Sequence, residues 1–228
     1  MANHLDLEEQ EQLDQLKHFW KQYGNLITWA LILVLGAFAG WNGYLYWQRN
    51  QAAQAANLFD EVDRIALSAD LAKLDRALSD MKDKFPRTVY AQQAGLLAAK
   101  VYSDAGNAAS AKAALTWVAD TSADEGYQAI ARLRLAGVLA ESKSFDEARK
   151  VLSESFPQEF AGLVSDRRGD IFMLQGKKAE AKAEYLLAYK ALDERADYRR
   201  LVEVKLNTLG VDPGAQLAVS AVAGEVKK

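Results

Sequence analysis

Two hydrophobic rhythms divide the chain. Between Lys21 and Arg49 no Asp, Glu, Lys or Arg occurs, and the text from Leu26 to Trp47 is almost wholly apolar. From Ala52 to about Gly210 apolar residues instead recur at three- and four-residue intervals, as in Leu58, Val62 and Ile65 or Tyr185, Leu186 and Tyr189. That period belongs to amphipathic helices, and no sustained period-two alternation is present, so the reading is all-α. Turn-forming text at Asp104–Asn107, Thr121–Gly126, Ser142–Phe145 and Leu174–Lys177 separates helical runs of about a dozen residues or more.

The uncharged stretch is long enough for a membrane. A helix rises about 1.5 Å per residue, so roughly 20 apolar residues cross a hydrocarbon core of about 30 Å. Trp20 and Tyr23 stand at one end, and Trp41, Tyr44, Tyr46 and Trp47 crowd the other. Amphipathic rings favour headgroup layers, so two aromatic clusters one bilayer apart mark two interfaces. A cleaved signal peptide has a shorter apolar region behind a basic start. Here the leading text is acidic, and although Ala53-Gln54-Ala55 has a small-x-small pattern, a permanent anchor fits better. The expected layout is a tail over 1–21, a transmembrane helix over 22–48, a helical domain over 52–210 and a flexible tail over 211–228. Gly36 and Gly40 form a G-x-x-x-G pair extended by Gly43, a face on which another helix could pack closely, with Asn42 as a candidate interhelical hydrogen bond.

The turn signals prompt a search for repeats. Ala111, Ala148 and Ala181 align just inside the second helix of three successive pairs, 37 and 33 residues apart. In the same frame Ala99, Ala136 and Gly169 fall together, as do Tyr102, Leu139 and Phe172, then Gly106, Lys143 and Gly176, and finally Leu115, Leu152 and Tyr185. Small residue, large apolar residue, turn, alanine, large apolar residue resembles the tetratricopeptide repeat (TPR) pattern, whose period is about 34. No repeat carries that family's tryptophan, and a generic alanine-rich bundle is the competing reading. In a hairpin of this kind the small residue of the first helix faces the alanine of the second, and neighbouring hairpins must stack to bury their apolar faces. Ala55 to Pro86 reads as a degenerate opening repeat. Arg195 to Leu209 reads as a closing helix, its wet face formed by Arg199, Arg200, Glu203 and Lys205.

Charge narrows the function. Residues 1–50 hold Lys17, Lys21 and Arg49 of the 28 basic residues and Asp6, Glu8, Glu9, Glu11 and Asp14 of the 31 acidic ones, leaving 25 against 26 beyond them. Such a balance gives no footprint for nucleic acid. The chain has no cysteine, and its only histidines, His4 and His18, precede the apolar stretch. No phosphate-binding loop, dinucleotide fingerprint or nucleophile elbow occurs, so no enzyme, cofactor or metal site is expected.

The whole layout resembles the YfgM-type ancillary subunit of the bacterial SecYEG translocon. The likeness rests on the acidic "EEQEQLDQLKHFWKQYGN", one span ending in aromatics, the alanine-rich TPR-like domain and the closing "RRLVEVKLNTLG", and it covers roughly residues 5 to 210. It implies an inner-membrane protein with a cytoplasmic N-terminus, an orientation that the weak asymmetry of flanking charge only leans towards. It also implies a periplasmic domain, association with SecYEG and a PpiD-type membrane-anchored chaperone, and help for polypeptides leaving the channel. An envelope-assembly or self-associating scaffold is the alternative. The TPR groove register, carried across, gives Gln93, Leu96, Lys100, Ile130, Leu133, Glu141, Asp166 and Asp170 as groove residues, with ordinary solvated helix faces as the competing reading.

Overall fold

A computed structural model describes residues 7–214, with side chains from residue 11. Its helices are α1 (Leu7–Ser68), α2 (Leu71–Lys84), α3 (Val89–Asp104), α4 (Ala108–Thr121), α5 (Glu125–Glu141), α6 (Phe145–Val151), α7 (Ala161–Leu174), α8 (Lys178–Ala191) and α9 (Asp197–Thr208). A 3₁₀ turn at Gln158–Phe160 precedes α7, and no strand occurs among the described residues. The chain divides into two compact units, Met1–Ala53 and Gln54–Lys228.

In the first unit α1 is long and apolar enough to cross a membrane. Leu26, Trp29, Leu33 and Phe38 are each more than 60% exposed, so this surface has no protein core to enter. The polar side chains within it bond back to the helix: Thr28 Oγ1 donates to the Gly24 carbonyl at 2.7 Å and Asn42 Nδ2 to the Phe38 carbonyl at 2.9 Å. Asn42 thus satisfies one donor within its own helix. Phe19 stacks on Tyr23 near one end and Tyr44 on Trp47 near the other. A side chain at Gly36, Gly40 or Gly43 would meet nothing within 4 Å, so this face is open.

The second unit is an array of helical hairpins, α3–α4, α5–α6 and α7–α8, opened by the end of α1 with α2 and closed by α9. Side-chain oxygens accept from orphan backbone N–H groups at four helix starts: Asp70, Thr88, Asn107 and Asp124. At the turns the repeat shows in the backbone itself. Gly106, Lys143 and Gly176 share one sequence register, and their φ angles are 75°, 61° and 74°. Each left-handed residue is followed by the same hydrogen bond, from Asn107 N to Tyr102 O, Ser144 N to Leu139 O and Lys177 N to Phe172 O. This is the Schellman closure of a helix C-terminus. A step of 37 residues back from Gly106 reaches Ala69 at φ 52°, and α9 ends the same way, with Gly210 at 72° and Val211 N bonded to Leu206 O. A left-handed conformation costs a non-glycine residue about 1–2 kcal/mol. Lys143→Gly should therefore raise stability by about 0.5–1 kcal/mol, read as a higher urea midpoint at unchanged slope; a lower midpoint would mean that the Lys143 side chain holds the turn.

The hairpins meet through small residues. Ala99 and Ala136 are buried. A Cβ added to Gly169 would lie 2.5 Å from Tyr185 Cδ1, so the contact expected between Gly169 and Ala181 is made one turn later, by the Tyr185 ring. A Cβ added to Gly95 would likewise lie 2.5 Å from Val118 Cγ2. One core runs from Ala55 through Ile171, and a second gathers Ala181, Tyr185, Ala188, Val202, Leu206 and Val211.

Three expectations need correction. The middle hairpin has a short second helix, α6, of seven residues in place of a dozen. The chain leaves the helix before Pro157, and arginines from neighbouring first helices take the freed carbonyls: Arg168 donates to Leu152 O at 2.7 Å and Arg132 to Ser155 O at 2.8 Å. Two residues placed on the wet face of the closing helix point inward instead. The Arg199 guanidinium stacks 4.1 Å from the Tyr189 ring centre, and Lys205 Nζ lies between Asp166 and Asp170. Packing also continues beyond Gly210, since Val211 and Pro213 are buried where a flexible tail was expected. The rest of that tail, 215–228, and residues 1–6 of the N-terminal tail lie outside the described residues.

Candidate protein-interaction surface

First helices pack directly on one another, α3 on α5 and α5 on α7, which lines them up along one side of the array. Cross-helix bonds fix their rotation. Gln93 Nε2 donates to the Tyr127 hydroxyl at 3.0 Å, and Arg134 Nη1 reaches back to the Leu96 carbonyl at 3.4 Å. The Arg167 guanidinium lies over α5 at Gly137, where an added Cβ would come within 3.5 Å of Nη1.

This rotation sorts the eight residues expected in the groove. Gln93 and Ile130 are half-buried on the shared face, and Lys100 and Glu141 are exposed there, Lys100 paired with Asp104 at 2.5 Å. Leu96 and Leu133 instead point into the core, 7% and 9% exposed. Asp166 is 1% exposed and Asp170 is half-buried, both covered by α9. The residues that follow three of these, Leu97, Arg134 and Arg167, reach the surface instead. One residue of helix is about 100° of rotation, enough to exchange core for surface.

The structure assembles two things that this reading of the groove missed. The first is an inner ladder. Tyr90, Tyr127 and Phe160 repeat at 37 and 33 residues, the spacing of the turns, and each is half-buried against the core. Beside them run Leu97 and Ile130, also half-buried, and then Arg134 and Arg167. The spacing was present in the sequence, but three aromatic residues at helix starts carry no mark of a shared face until the stacking is known.

The second is a closed polar network between α7 and α9. Lys205 Nζ contacts both oxygens of Asp166 at 2.8 Å and Asp170 Oδ1 at 2.7 Å. The Tyr198 hydroxyl donates to Asp166 at 2.7 Å and the Tyr185 hydroxyl to Asp170 at 2.8 Å. Burial, and then the hydrogen bond to the neighbouring carboxylate, pushes both phenols above the ordinary tyrosine range. With every group satisfied, the network fastens α9 to the array; it does not offer a carboxylate to a ligand. Tyr102, in the first of the three hairpins, makes a similar bond by donating to Asp75 of α2.

On the other side of the array the shortness of α6 leaves a cleft of about 480 Å³ between α4, α5 and α6, floored by Ala119, Leu135, Leu139 and Val151. The salt bridge between Lys112 and Glu147, at 2.6 Å, crosses its mouth. Among the described residues no cluster of three or more acidic or histidine side chains could hold a metal ion.

Stacked hairpins with a continuous inner face, carried on a chain with a span-length apolar helix, define a helical-repeat interaction protein. The tetratricopeptide repeat-like domain family matches residues 17–211. A protein from Neisseria gonorrhoeae described as an ancillary SecYEG translocon subunit is 33% identical over 213 residues, covering 92% of this chain and 100% of the relative. Proteins of the same description from Haemophilus influenzae and Escherichia coli are each 28% identical, over 89% of this chain and 98% and 97% of theirs. The chain belongs to this YfgM-type family of TPR-like ancillary translocon subunits. No solved structure matches it with significance.

Proposed function

We propose that the protein is an inner-membrane companion of the SecYEG translocon. Its tail over 1–21 lies in the cytoplasm, residues 22–48 span the bilayer, and the hairpin domain from residue 52 stands in the periplasm beside the channel exit. There it cooperates with a PpiD-type anchored chaperone and assists polypeptides as they emerge. The observation that carries this reading is the end-to-end match to a relative described as an ancillary translocon subunit, anchor and hairpin array together. In the span, Gly36, Gly40 and Gly43 form the face that approaches a partner helix, because small residues let backbones pack closely where lipid removes any hydrophobic drive.

Photocrosslinking residues placed at Gly36 and Gly40, and at exposed positions of the domain, test this in intact membranes. Adducts with SecYEG subunits and the chaperone are expected. Adducts only with a second copy, or with envelope-assembly proteins, would replace the reading by a scaffold. Orientation is read in the same cells: a cysteine at exposed Ser103 should react with an impermeant maleimide once the outer membrane is opened, and labelling only after lysis would reverse the topology.

A further inference from the structure

We infer that the inner face of α3, α5 and α7 binds an extended polypeptide segment with an acidic side chain at every third position and apolar ones between. This deepens the function proposed above and rests on it. The apolar half of the argument is the ladder. Tyr90, Tyr127 and Phe160 are held from beneath by the core and open above, so they present rigid rings that lose little freedom on binding. Leu97 and Ile130 continue the surface between the rings and the arginines.

The charged half is a pair of guanidinium groups with donors to spare, neither of which makes a hydrogen bond to a carboxylate. The hydrogen bond of Arg134 is to the Leu96 carbonyl, long at 3.4 Å. Arg167 Nη1 forms a salt bridge with Asp170 Oδ2 at 3.6 Å, too long for a hydrogen bond, while Lys205 and Tyr185 hold the other oxygen, Oδ1. Arginine presents five donors in a planar fork that matches a carboxylate. Both forks therefore retain donors for an incoming anion. The nearby positive charge of Lys100 is neutralised by Asp104. Glu141 is on the same face seven residues after Arg134, about 10 Å further along the helix, too far to neutralise it. Gly137 supports the arrangement. A mid-helix glycine costs about 0.5–1 kcal/mol relative to alanine, and here it leaves room for the Arg167 guanidinium to lie across α5.

Spacing selects an extended ligand. Packed helices lie about 8–10 Å apart, so rungs on successive first helices recur at that interval. Three residues of extended chain cover about 10 Å, and a polyproline-like chain returns to the same face every third residue. An acidic residue every third position, with apolar residues between, therefore meets the Arg134 and Arg167 rungs while its neighbours reach the aromatic ones.

Full-length protein in nanodiscs, titrated with a fluorescent peptide of four Asp-Leu-Phe triplets, tests this. Binding is expected that exceeds that of a Lys-Leu-Phe peptide by at least tenfold and weakens with salt. Arg134→Gln with Arg167→Gln should raise the Kd at least tenfold with an unchanged helical spectrum, and Arg134→Glu should move preference towards the lysine peptide. No binding by the unaltered protein, equal affinity for the two peptides, or indifference to the glutamine pair would each overturn the inference. Crosslinking of the same variants in membranes separates the two levels. SecYEG adducts that persist confine a failure to the ligand, whereas their absence from the unaltered protein removes the functional reading itself.

Discussion

Asp166→Ala should release the closing helix. The Asp166 side chain is 1% exposed and receives Lys205 and the Tyr198 hydroxyl. Removing one partner of a buried ion pair typically costs 3–5 kcal/mol, because the other charge stays buried without compensation. Asp170 still holds Lys205, so the lower end of that range applies, about 3 kcal/mol. In a repeat array the loss falls on the nearest interface, not on the whole chain. Each 1.4 kcal/mol is a factor of ten in the opening equilibrium. Amide exchange in α9 should therefore accelerate more than a hundredfold while α3 and α4 stay slow. Asp166→Asn, which keeps a hydrogen-bond acceptor, should cost less. Unchanged exchange in α9 would show that apolar contacts through Val202 and Leu206 hold the helix without the network.

Gly169→Leu is expected to have an effect of similar size by another route. A Cβ alone would stand 2.5 Å from the Tyr185 ring, and leucine adds three further carbons between α7 and α8. Overpacking commonly costs 1–3 kcal/mol, and here the upper end, about 3 kcal/mol, outweighs the gain of about 1 kcal/mol from replacing a helical glycine. Gly137→Ala supplies the contrast. Its Cβ meets only the movable end of Arg167, at 3.5 Å, so the propensity gain should dominate and stability should rise slightly. Thermal midpoints of the two variants moving in the same direction would refute the distinction between a backbone crossing and a surface contact.

What the sequence disclosed follows from how local each constraint is. The turn register of Gly106, Lys143 and Gly176 was legible because helix closure is decided within half a dozen residues, and all three adopt the same left-handed geometry. The register of the small residues Ala99, Ala136 and Gly169 was legible too: the first two are buried, and the third is crossed by the Tyr185 ring. The rotation of the first helices was not legible. Leu96 and Leu133 were chosen where Leu97 and Arg134 face outward, because rotation about the helix axis is set by stacking against the next hairpin. Lys205 and Asp166 are 39 residues apart, and nothing local in either marks a pair. Long cationic side chains also misled in α9, where Arg199 lays its guanidinium on Tyr189 and not in water. The early end of α6 goes with Arg132 and Arg168 donating to the carbonyls just after it, a tertiary effect invisible from the text around Pro157.

Adjacent residues of α7 belong to different cores: Ile171 to the larger, Phe172 and Met173 to the smaller. One helix is thus a party wall. The C-terminal compartment can empty while the wall stands, because the other face of α7 is still clad by α5. Heating such an array gives a calorimetric enthalpy larger than the van't Hoff enthalpy, the mark of a transition that is not all-or-none. Each compartment then has its own free energy of unfolding, coupled through the wall they share.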